Sequence, residues 1–590
     1  MQARAARPVA TRIKRDGRWT ALSYRELADR VEAASVGLRE LGITDGDRVA
    51  ILSENRPEWA MADYACLAAR CTNVPIYPTL PARQVEYILR DSGAVAVLVS
   101  SAAQLEKVRA IRDKLPALRH VIAFEADARA PAVLAFDELL ASGRAARARH
   151  PDWRAHALEA GPDDLATLIY TSGTTGDPKG VMLTHGNIAS NVTTCVRLFR
   201  FADGDECLSF LPLSHIFERM FGHYSMFFAG VVINYAGSIE TVAADMQDLR
   251  PTMMASVPRL YEKIYARVLD SVRASPAPRR RIFAWARHVG EAWVARTLAR
   301  APIPAALSLQ RRLADRLVFS KLRARTGGRI RFFISGGAPL SADIAKFFYA
   351  AGMPILEGYG LTETSPVMAV NTFEHTKLGT VGHPIPGVEI RIATDGEIIT
   401  RGPNVMRGYY GKPEATAEAI DAEGWFHTGD IGLIDAEGYL RITDRKKDLI
   451  VTAGGKNIAP QPIENLAKRS KYISNAVMLG DRRPFPIMLL VPNPEPLRIW
   501  AARHQLPTED VERMVALPDV HTKLEREVRM TLRDLAQFEM PKKFLLLPRD
   551  FSVEGGELTP TLKVRRRIVE ERHKAAIEAL YAEPHAGEPA

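Results

Sequence analysis

The chain has 590 residues and a formal net charge of +10 at pH 7. This length predicts about three or four domains, and apolar and charged fractions of 47% and 25% are typical of a globular protein. A transmembrane helix is not expected, because the sequence has no run of about 18 apolar residues. The basic N-terminus also lacks the continuous apolar core of a signal peptide.

The cysteines indicate the cellular compartment, and the net charge indicates the kinds of partner. Cys66, Cys71, Cys195 and Cys207 show neither metal-ligand nor disulfide-framework spacing, so we expect a reduced, cytoplasmic protein. The positive charge suits polyanionic small molecules and anionic membrane surfaces, although a general enrichment in arginine explains it equally well. We expect no nucleic-acid partner.

The first part of the chain, residues 19–150, alternates helical and strand-like patterns. Residues 23–41 have helical periodicity, and Ser23 with Glu26 three residues later forms a capping box. Short apolar runs at residues 48–52 and 95–99 are typical of buried parallel strands. This alternation predicts a doubly wound α/β layer.

A second α/β portion begins near Asp164, and a glycine-rich, hydroxyl-rich loop follows its first apolar run, residues 165–169. Glycines let the backbone approach an anion and point N–H groups at it. The loop does not have Walker A spacing, because Asp-Pro separates Gly176 from Lys179. We predict a polyphosphate-binding loop that comprises Thr171, Ser172, Gly173, Thr174, Thr175, Gly176 and Lys179.

The segment 258–327 has a helical pattern and is unusually basic. Between Arg273 and Arg325 it holds thirteen Lys or Arg and two acids, with Trp285 and Trp293 among them. Two interpretations stay open. The segment lies on anionic lipid headgroups with interfacial tryptophans, or it is a solvated arginine-rich face whose tryptophans belong to the core.

The later segments predict a β-rich subdomain and a separate C-terminal domain. Glycines, prolines and short alternating runs between residues 379 and 440 favour β-structure. Strand and helix patterns resume after Asp444 and end in charged helical residues 564–581. We therefore predict an N-terminal domain, residues 1–443, with two α/β layers and the β-rich subdomain, and a smaller α+β domain, residues 444–590.

Three further turn segments contain candidate functional residues. Thr362 and Glu363 place a hydroxyl beside a carboxylate, which suits a hard cation and equally suits the first turn of a helix. Residues 336–338 and 358–360 are mostly small, so a planar base can lie against them and Tyr359 can stack on it. Both segments are also ordinary turns between a strand and a helix.

These motifs, with others, resemble the acyl-adenylate-forming enzymes: acyl-CoA synthetases, peptide-synthetase adenylation domains and beetle luciferases. Six motifs in the family's order support the resemblance beyond the loop at 170–180. They lie at residues 210–219 (FLPLSHIFER), 335–341 (SGGAPLS), 357–366 (EGYGLTETSP), 424–430 (GWFHTGD), 444–450 (DRKKDLI) and 558–563 (LTPTLK). The sequences of these motifs are most similar to those of the long-chain fatty acyl-CoA synthetase branch.

The resemblance implies how the nucleotide is held. The loop would bind the β- and γ-phosphates of ATP, Thr362 would donate to the α-phosphate, and Glu363 with Thr175 would bind Mg²⁺. Asp430 would accept both ribose hydroxyls, and Arg445 would contact the same ribose from the domain junction. The adenine pocket would comprise Gly336, Gly337, Ala338, Glu357, Gly358, Tyr359 and Gly360.

The resemblance also implies a moving C-terminal domain. Lys563 would neutralise charge at the reacting groups during adenylation, and rotation about Lys447 would then remove it. Gly454 and Gly455 would line a tunnel for the pantetheine arm of CoA. His215 would position the substrate carboxylate; it would not act as a general base, because the carboxylate is already ionised at neutral pH.

The implied activity is activation of a fatty acid by ATP and Mg²⁺ to acyl-AMP, followed by transfer to CoA, with long-chain acids as the expected substrates. One alternative is a fatty acyl-AMP ligase that loads a carrier protein, although residues 449–563 show no obvious extra block of the kind that hampers domain rotation. A different class is a protein that binds membrane surfaces through residues 273–325 without ATP turnover. We expect a cytoplasmic enzyme and leave peripheral association with the inner face of a membrane open. Chain-length preference does not follow from the sequence.

Overall fold

The computed structural model describes residues 7–128, 130–171, 177–453, 456–552, 555–559 and 564–582. The described chain divides into two compact units. The N-terminal unit comprises Met1–Arg391, Ile399–Thr428 and Ile434–Arg441. The C-terminal unit comprises Ile392–Ile398, Gly429–Leu433 and Ile442–Ala590.

The first sheet of the N-terminal unit is parallel except at one edge. Its strands, from one edge to the other, are Gly408–Tyr409, Lys179–Thr184, Leu165–Thr171, Thr72–Ile76, Arg48–Leu52, Ala96–Val99, His120–Ala123 and Leu134–Ala135. Lys179–Thr184 pairs antiparallel with both of its neighbours. The parallel strands predicted at 48–52 and 95–99 are confirmed, and the second begins one residue later than expected, at Ala96.

A second sheet has the same character, with parallel pairs inside and antiparallel pairs at its edges. Its strands in order are His383–Pro384, Val367–Val370, Ile355–Gly360, Phe332–Ser335, Met253–Ser256, Glu206–Ser209, Val232–Tyr235, Thr11–Arg15 and Arg18–Leu22. Parallel strands carry apolar residues on both faces because helices cover both. Fully buried Phe332, Phe333 and Met254 illustrate this here.

Helices pack against these sheets. The predicted capping box is confirmed: the Ser23 side chain accepts from the backbone N–H of Glu26, whose carboxylate accepts from the N–H of Ser23 at 2.8 Å. The α-helices of the N-terminal unit are Tyr24–Glu40, Pro57–Ala68, Ala82–Ser92, Ala102–Arg109, Phe136–Ala146, Trp153–Leu158, His185–Leu198, Met226–Ala229, Val242–Leu249, Pro258–Arg273, Ala277–Leu298, Ala305–Ala314, Ser320–Ala324, Ala342–Ala350 and Pro413–Ala419. Glu218–Ser225 and Asp315–Phe319 are π-helical.

The helical pattern predicted for residues 258–327 is confirmed, and the two tryptophans of the segment face inward. Trp285 and Trp293 are partly buried and pack against a core cluster that includes Val289 and Phe319. The guanidinium of Arg311 lies 5.2 Å from the centroid of the Trp293 ring. Of the described helices, none has the length and apolar character that crossing a bilayer requires.

The C-terminal unit has its own small sheet and core. Strands Ile473–Leu479 and Ile487–Pro492 pair antiparallel, and Lys543–Leu546 pairs parallel with the latter. The hairpin Ile450–Val451 and Asn457–Ile458 precedes them. The α-helices are Pro460–Ala467, Pro494–Arg503, Val511–Val515, Pro518–Thr531, Arg566–Arg572 and Lys574–Ala582.

Four further strands lie between residues 389 and 445 of the chain. They are Glu389–Ile392, Glu397–Arg401, Phe426–Ile434 and Leu440–Arg445. The predicted α/β class, with a large N-terminal and a smaller C-terminal unit, is confirmed by this architecture.

A buried ion pair joins several elements of the N-terminal unit. Asp63 and Arg219 are both fully buried and form a salt bridge. The guanidinium also donates to Thr167 at 2.7 Å and to the hydroxyl of Tyr224 at 3.0 Å, and that hydroxyl donates to Asp63 at 2.7 Å. Burial opposes ionisation of Asp63, but the charges and hydrogen bonds of Arg219 and His223 together outweigh it and lower the pKa of the carboxyl.

We predict that Asp63→Asn lowers the free energy of unfolding by about 3–5 kcal/mol, because it leaves the Arg219 guanidinium buried without a counter-charge. Urea denaturation followed by tryptophan fluorescence measures the change. The control is Asp270→Asn, which breaks an exposed pair with Arg273 and should cost about 1 kcal/mol or less. Equal losses in the two variants would contradict the role of the buried pair.

Candidate active site

The predicted phosphate loop connects two strands of the first sheet. Strand Leu165–Thr171 pairs antiparallel with Lys179–Thr184, and Thr171 lies opposite Lys179 in the register. Ser172, Gly173, Thr174, Thr175 and Gly176 lie outside the described residues. The loop therefore leaves and re-enters the sheet at adjacent positions, and Lys179 is fixed at the point of re-entry.

Lys179 and Glu363 are both held against Tyr409. The ammonium of Lys179 lies 4.9 Å from the centroid of the Tyr409 ring. The Tyr409 hydroxyl donates to Oε1 of Glu363 at 3.0 Å. Burial and the charge of Glu363 raise the pKa of Tyr409, so the phenol is a hydrogen-bond donor at neutral pH.

Thr362 and Glu363 lie on a 3₁₀ turn, Thr362–Thr364, directly after the strand Ile355–Gly360. The turn is held by the segment before Tyr409: the N–H of Met406 donates to the carbonyl of Glu363 at 2.8 Å. Of the two alternatives for this pair of residues, the structure bears on the helical turn, and cation binding stays a prediction. The residues do begin a helical turn, and the turn presents a half-buried carboxylate next to the loop strand.

The two predicted base-binding turns lie side by side in the second sheet. Their strands pair in parallel with Ser335 opposite Glu357. A Cβ on Gly336 would lie 3.3 Å from the Phe217 ring and 3.7 Å from the carbonyl of Gly358, so any larger residue would crowd the Phe217 ring. Gly337 and Ala338 are exposed, and Tyr359 is 7% exposed.

Glu357 and Gly360 have structural roles in this wall. Burial raises the pKa of the Glu357 carboxyl to about 8, although the backbone N–H groups of Leu340 and Gly379 donate to it. The side chain therefore connects three segments around the turn. A Cβ on Gly360 would lie 1.8 Å from the carbonyl of Pro366, which excludes any larger residue.

His215 is brought to the same wall by its own segment. Its Nδ1 accepts from the N–H of Phe217 at 3.1 Å, and the Phe217 ring contacts Gly336. Asn55 fixes the start of the segment: its amide donates to the carbonyl of Leu211 at 2.6 Å and accepts from the N–H of Leu213 at 2.9 Å.

Asp430 and Arg445, the predicted ribose-binding residues, contact each other within the C-terminal unit. Nε of Arg445 lies 2.8 Å from Oδ1 of Asp430, whose side chain is 5% exposed. Burial raises the pKa of the neighbouring Asp444 to about 7, although the N–H of Arg445 donates to its carboxylate. Lys446 is also held, by Asp395 at 2.6 Å.

Of the remaining predicted residues, Lys447 belongs to the part of the chain that the structure describes, and the others do not. Lys447 is exposed on the turn that precedes strand Ile450–Val451. Gly454, Gly455 and Lys563 lie outside the described residues. Sequence reasoning missed Tyr409, Asn55 and the burial of Arg219, because their importance depends on contacts between segments that are distant in the chain.

The described site residues suit a metal that takes most of its ligands from a substrate. Within the described ranges, no group of three or more His, Cys, Asp or Glu side chains could hold a metal ion. Mg²⁺ commonly binds through one or two carboxylates together with substrate phosphates and water. The single carboxylate of Glu363, on a turn that contacts the strand Lys179–Thr184, fits that pattern.

Known proteins resemble this chain along nearly its whole length. The AMP-binding enzyme family matches residues 1–410, and the AMP-binding enzyme C-terminal domain matches residues 447–585. The long-chain-fatty-acid–CoA ligase FadD15 of Mycobacterium bovis is 39% identical over 96% of this chain and 93% of its own. The peroxisomal long chain acyl-CoA synthetase 7 of Arabidopsis thaliana is 33% identical over 98% of this chain and 85% of its own.

A solved structure agrees with the fold. ATP-bound MatB from Rhodopseudomonas palustris is 25% identical, with a TM-score of 0.70 over 96% of each chain. The motifs of the sequence, the two-unit architecture and the extent of these matches lead to one assignment: the chain belongs to the AMP-binding enzyme family.

Proposed function

We propose that the protein is an ATP-dependent long-chain fatty acid–CoA ligase that forms AMP. The observation that carries the proposal is the contact of Lys179 and Glu363 with one side chain, Tyr409, in the N-terminal unit. The Glu363 turn follows the strand Ile355–Gly360, whose Gly358 lies beside Gly336. These residues can hold a polyphosphate, a divalent cation and a planar base. The extended similarity to long-chain-fatty-acid–CoA ligases supports the choice of acyl substrate.

The reaction consists of two transfers. A carboxylate oxygen of the fatty acid attacks the α-phosphorus of ATP, the bond to the bridging oxygen of pyrophosphate breaks, and acyl-AMP forms. The thiolate of CoA then attacks the acyl carbon, and AMP leaves with the oxygen that linked it to the acyl group. Such chemistry depends mainly on positioning and on neutralising negative charge, since no base is needed to ionise the acid.

The residues of the N-terminal unit supply these functions as follows. Lys179 and the loop hydroxyls would bind the leaving phosphates, and Thr362 would donate to the α-phosphate. Glu363, with Thr175, would hold Mg²⁺, which supplies charge neutralisation when bound. His215, fixed through Phe217 beside Gly336, would orient the fatty acid carboxylate.

The residues of the C-terminal unit would complete each half-reaction. Asp430 would accept the ribose hydroxyls and Arg445, already 2.8 Å from that carboxylate, would hold it in place. Lys563 would act during adenylation. Lys447 would be the hinge about which the unit turns, after which Gly454 and Gly455 would admit the pantetheine arm of CoA.

The direct test is pyrophosphate release from ATP with a panel of fatty acids, followed by detection of the thioester with CoA or with an acyl carrier protein. Release that depends on a long-chain acid, with transfer to CoA, is expected. Transfer to the carrier protein alone would support the acyl-AMP ligase alternative. No acid-dependent release with any member of the panel would overturn the proposal.

For Lys563→Ala we expect a loss of about 10²–10³ in the adenylation rate, the size of effect that removal of a charge-stabilising group at a shielded site produces. The thioester half-reaction, measured with synthetic acyl-AMP and CoA, should change little. Lys574→Ala, which removes an exposed lysine of the same unit, is the matched control. Equal losses in both half-reactions would refute the assigned role.

The hinge is tested by Lys447→Pro, because proline fixes φ and opposes rotation. This variant should still release pyrophosphate and accumulate acyl-AMP, but it should form acyl-CoA at a rate reduced by at least about tenfold. Lys447→Ala removes the same side chain without fixing φ and should retain both steps. If the proline variant loses both steps together, Lys447 is not the hinge.

A second proposal concerns the partner of the basic segment 273–325. Both of its acids are already paired: Glu291 with Arg287 at 2.6 Å, and Asp315 with Arg323 at 2.7 Å. Besides Ile282 and Ile303, its exposed large apolar side chains are three leucines at four-residue spacing. The exposed Arg312 and Arg316 lie between these leucines in sequence. These leucines are Leu309, Leu313 and Leu317, which are 69%, 50% and 38% exposed.

This surface suits an anionic membrane. Leucines can enter the boundary between headgroups and acyl chains, while the arginines contact lipid phosphates at about 1 kcal/mol each. The inward-facing tryptophans make no such contribution, so the leucines replace them as the apolar anchor. Fatty acids partition into membranes, and docking there would bring the enzyme to its substrate.

Co-sedimentation with vesicles that contain phosphatidylserine tests the membrane proposal. Wild-type protein should sediment at low salt and be released as ionic strength rises. The double variant Leu309→Asn, Leu313→Asn and the triple variant Arg279→Glu, Arg280→Glu, Arg281→Glu should stay in the supernatant. Leu158→Asn, which replaces a 73% exposed leucine outside the segment, is the control. Wild-type protein that never sediments would refute the proposal.

A further inference from the structure

Tyr409 is the residue through which the phosphate-loop lysine and the proposed magnesium carboxylate meet. One ring face contacts the Lys179 ammonium, with 4.9 Å between the nitrogen and the ring centroid. The hydroxyl at the end of the same ring donates to Glu363 at 3.0 Å. One side chain therefore touches both charged groups of the phosphate site.

The backbone on either side of Tyr409 is held tightly. The strand Gly408–Tyr409 pairs antiparallel with Lys179–Thr184, with Tyr409 opposite Val181. The N–H of Tyr409 donates to the Thr416 hydroxyl at 2.9 Å. Gly408 has φ +143°, and a Cβ there would lie 2.7 Å from Cγ2 of Thr416. The ring therefore projects from a rigid position.

The same short segment also bonds to the backbone beside each charged group. The N–H of Tyr410 donates to the carbonyl of Gly180 at 2.8 Å, next to Lys179 in the chain. The N–H of Met406 donates to the carbonyl of Glu363, also at 2.8 Å. The backbone of residues 406–410 and the side chain of Tyr409 therefore fix the distance between the strand Lys179–Thr184 and the Glu363 turn.

We propose that Tyr409 is a positioning residue for ATP and its metal: its hydroxyl fixes the Glu363 carboxylate, and its ring holds the Lys179 ammonium. The inference rests on the proposed function for the identity of the ligands. A hydrogen bond from a phenol selects one orientation of an ionised carboxylate. A cation lying over an aromatic face stays charged and can still donate to phosphate oxygens.

The two functions of the side chain can be separated by substitution. Tyr409→Phe keeps the ring under Lys179 and removes the donor to Glu363. Tyr409→Leu removes both contacts. Tyr410→Phe is the matched control, since Tyr410 is partly buried against the core cluster of the first sheet. Thermal melting identifies any variant that fails to fold.

The main readout is binding of Mn²⁺, a spectroscopic substitute for Mg²⁺, measured by electron paramagnetic resonance in the presence of ATP. Tyr409→Phe should weaken Mn²⁺ binding by about tenfold, the loss expected when a hydrogen bond to a charged group is removed. Its affinity for metal-free ATP, measured by calorimetry, should match that of the wild type. Tyr409→Leu should weaken both affinities.

A double-mutant cycle tests whether the hydroxyl acts through the carboxylate. If it does, adding Tyr409→Phe to Glu363→Gln should change Mn²⁺ affinity by less than about twofold. Full additivity, or a Tyr409→Phe variant that binds Mn²⁺ as Tyr410→Phe does, would overturn the inference. These measurements need no turnover, so failure of the proposed ligase activity would be recognised separately from failure of the Tyr409 assignment.

Discussion

The buried guanidinium of Arg219 holds together the elements that position the site. It contacts Asp63 on the helix Pro57–Ala68 and Thr167 on the strand that leads into the phosphate loop. Arg219 itself belongs to the π-helical turn that follows His215. A buried charge is stable only if each of its donors finds a partner, so the helix, the loop strand and the His215 segment must come together in one arrangement. The relative positions of these three segments depend on that constraint.

Further contacts connect this arrangement to the residues of the candidate phosphate site. Asn55 fixes the backbone on the N-terminal side of His215, and Phe217 packs against Gly336, where a Cβ would crowd the ring. On the other side, Tyr409 connects Lys179 with Glu363. Each of these residues acts through another, and none needs to touch the reacting atoms. An enzyme that transfers a phosphoryl-linked group by positioning and charge neutralisation requires such a supporting layer.

Local patterns predicted much of the fold, and motifs named most residues of the candidate site, whose roles stay predictions. The capping box at Ser23, the parallel strands and the helical segment 258–327 follow from periodicity and hydrogen-bonding chemistry close in sequence. Trp285 and Trp293 show the limit of such reasoning, because an amphipathic helix does not reveal from its sequence alone which apolar residues face the core. Tyr409 shows a second limit: its two contacts join residues 179 and 363, and no local signal marks a tyrosine that spans such a distance.

The central claim is that this chain activates a carboxylate by transferring AMP to it. A fatty acid labelled with ¹⁸O in both carboxylate oxygens, converted in the presence of ATP and CoA, tests this directly by mass spectrometry of the products. Attack of the carboxylate on the α-phosphorus, followed by release of AMP by CoA, predicts AMP that carries one labelled oxygen. Unlabelled AMP, or label in inorganic phosphate as an acyl-phosphate route would give, would contradict the account.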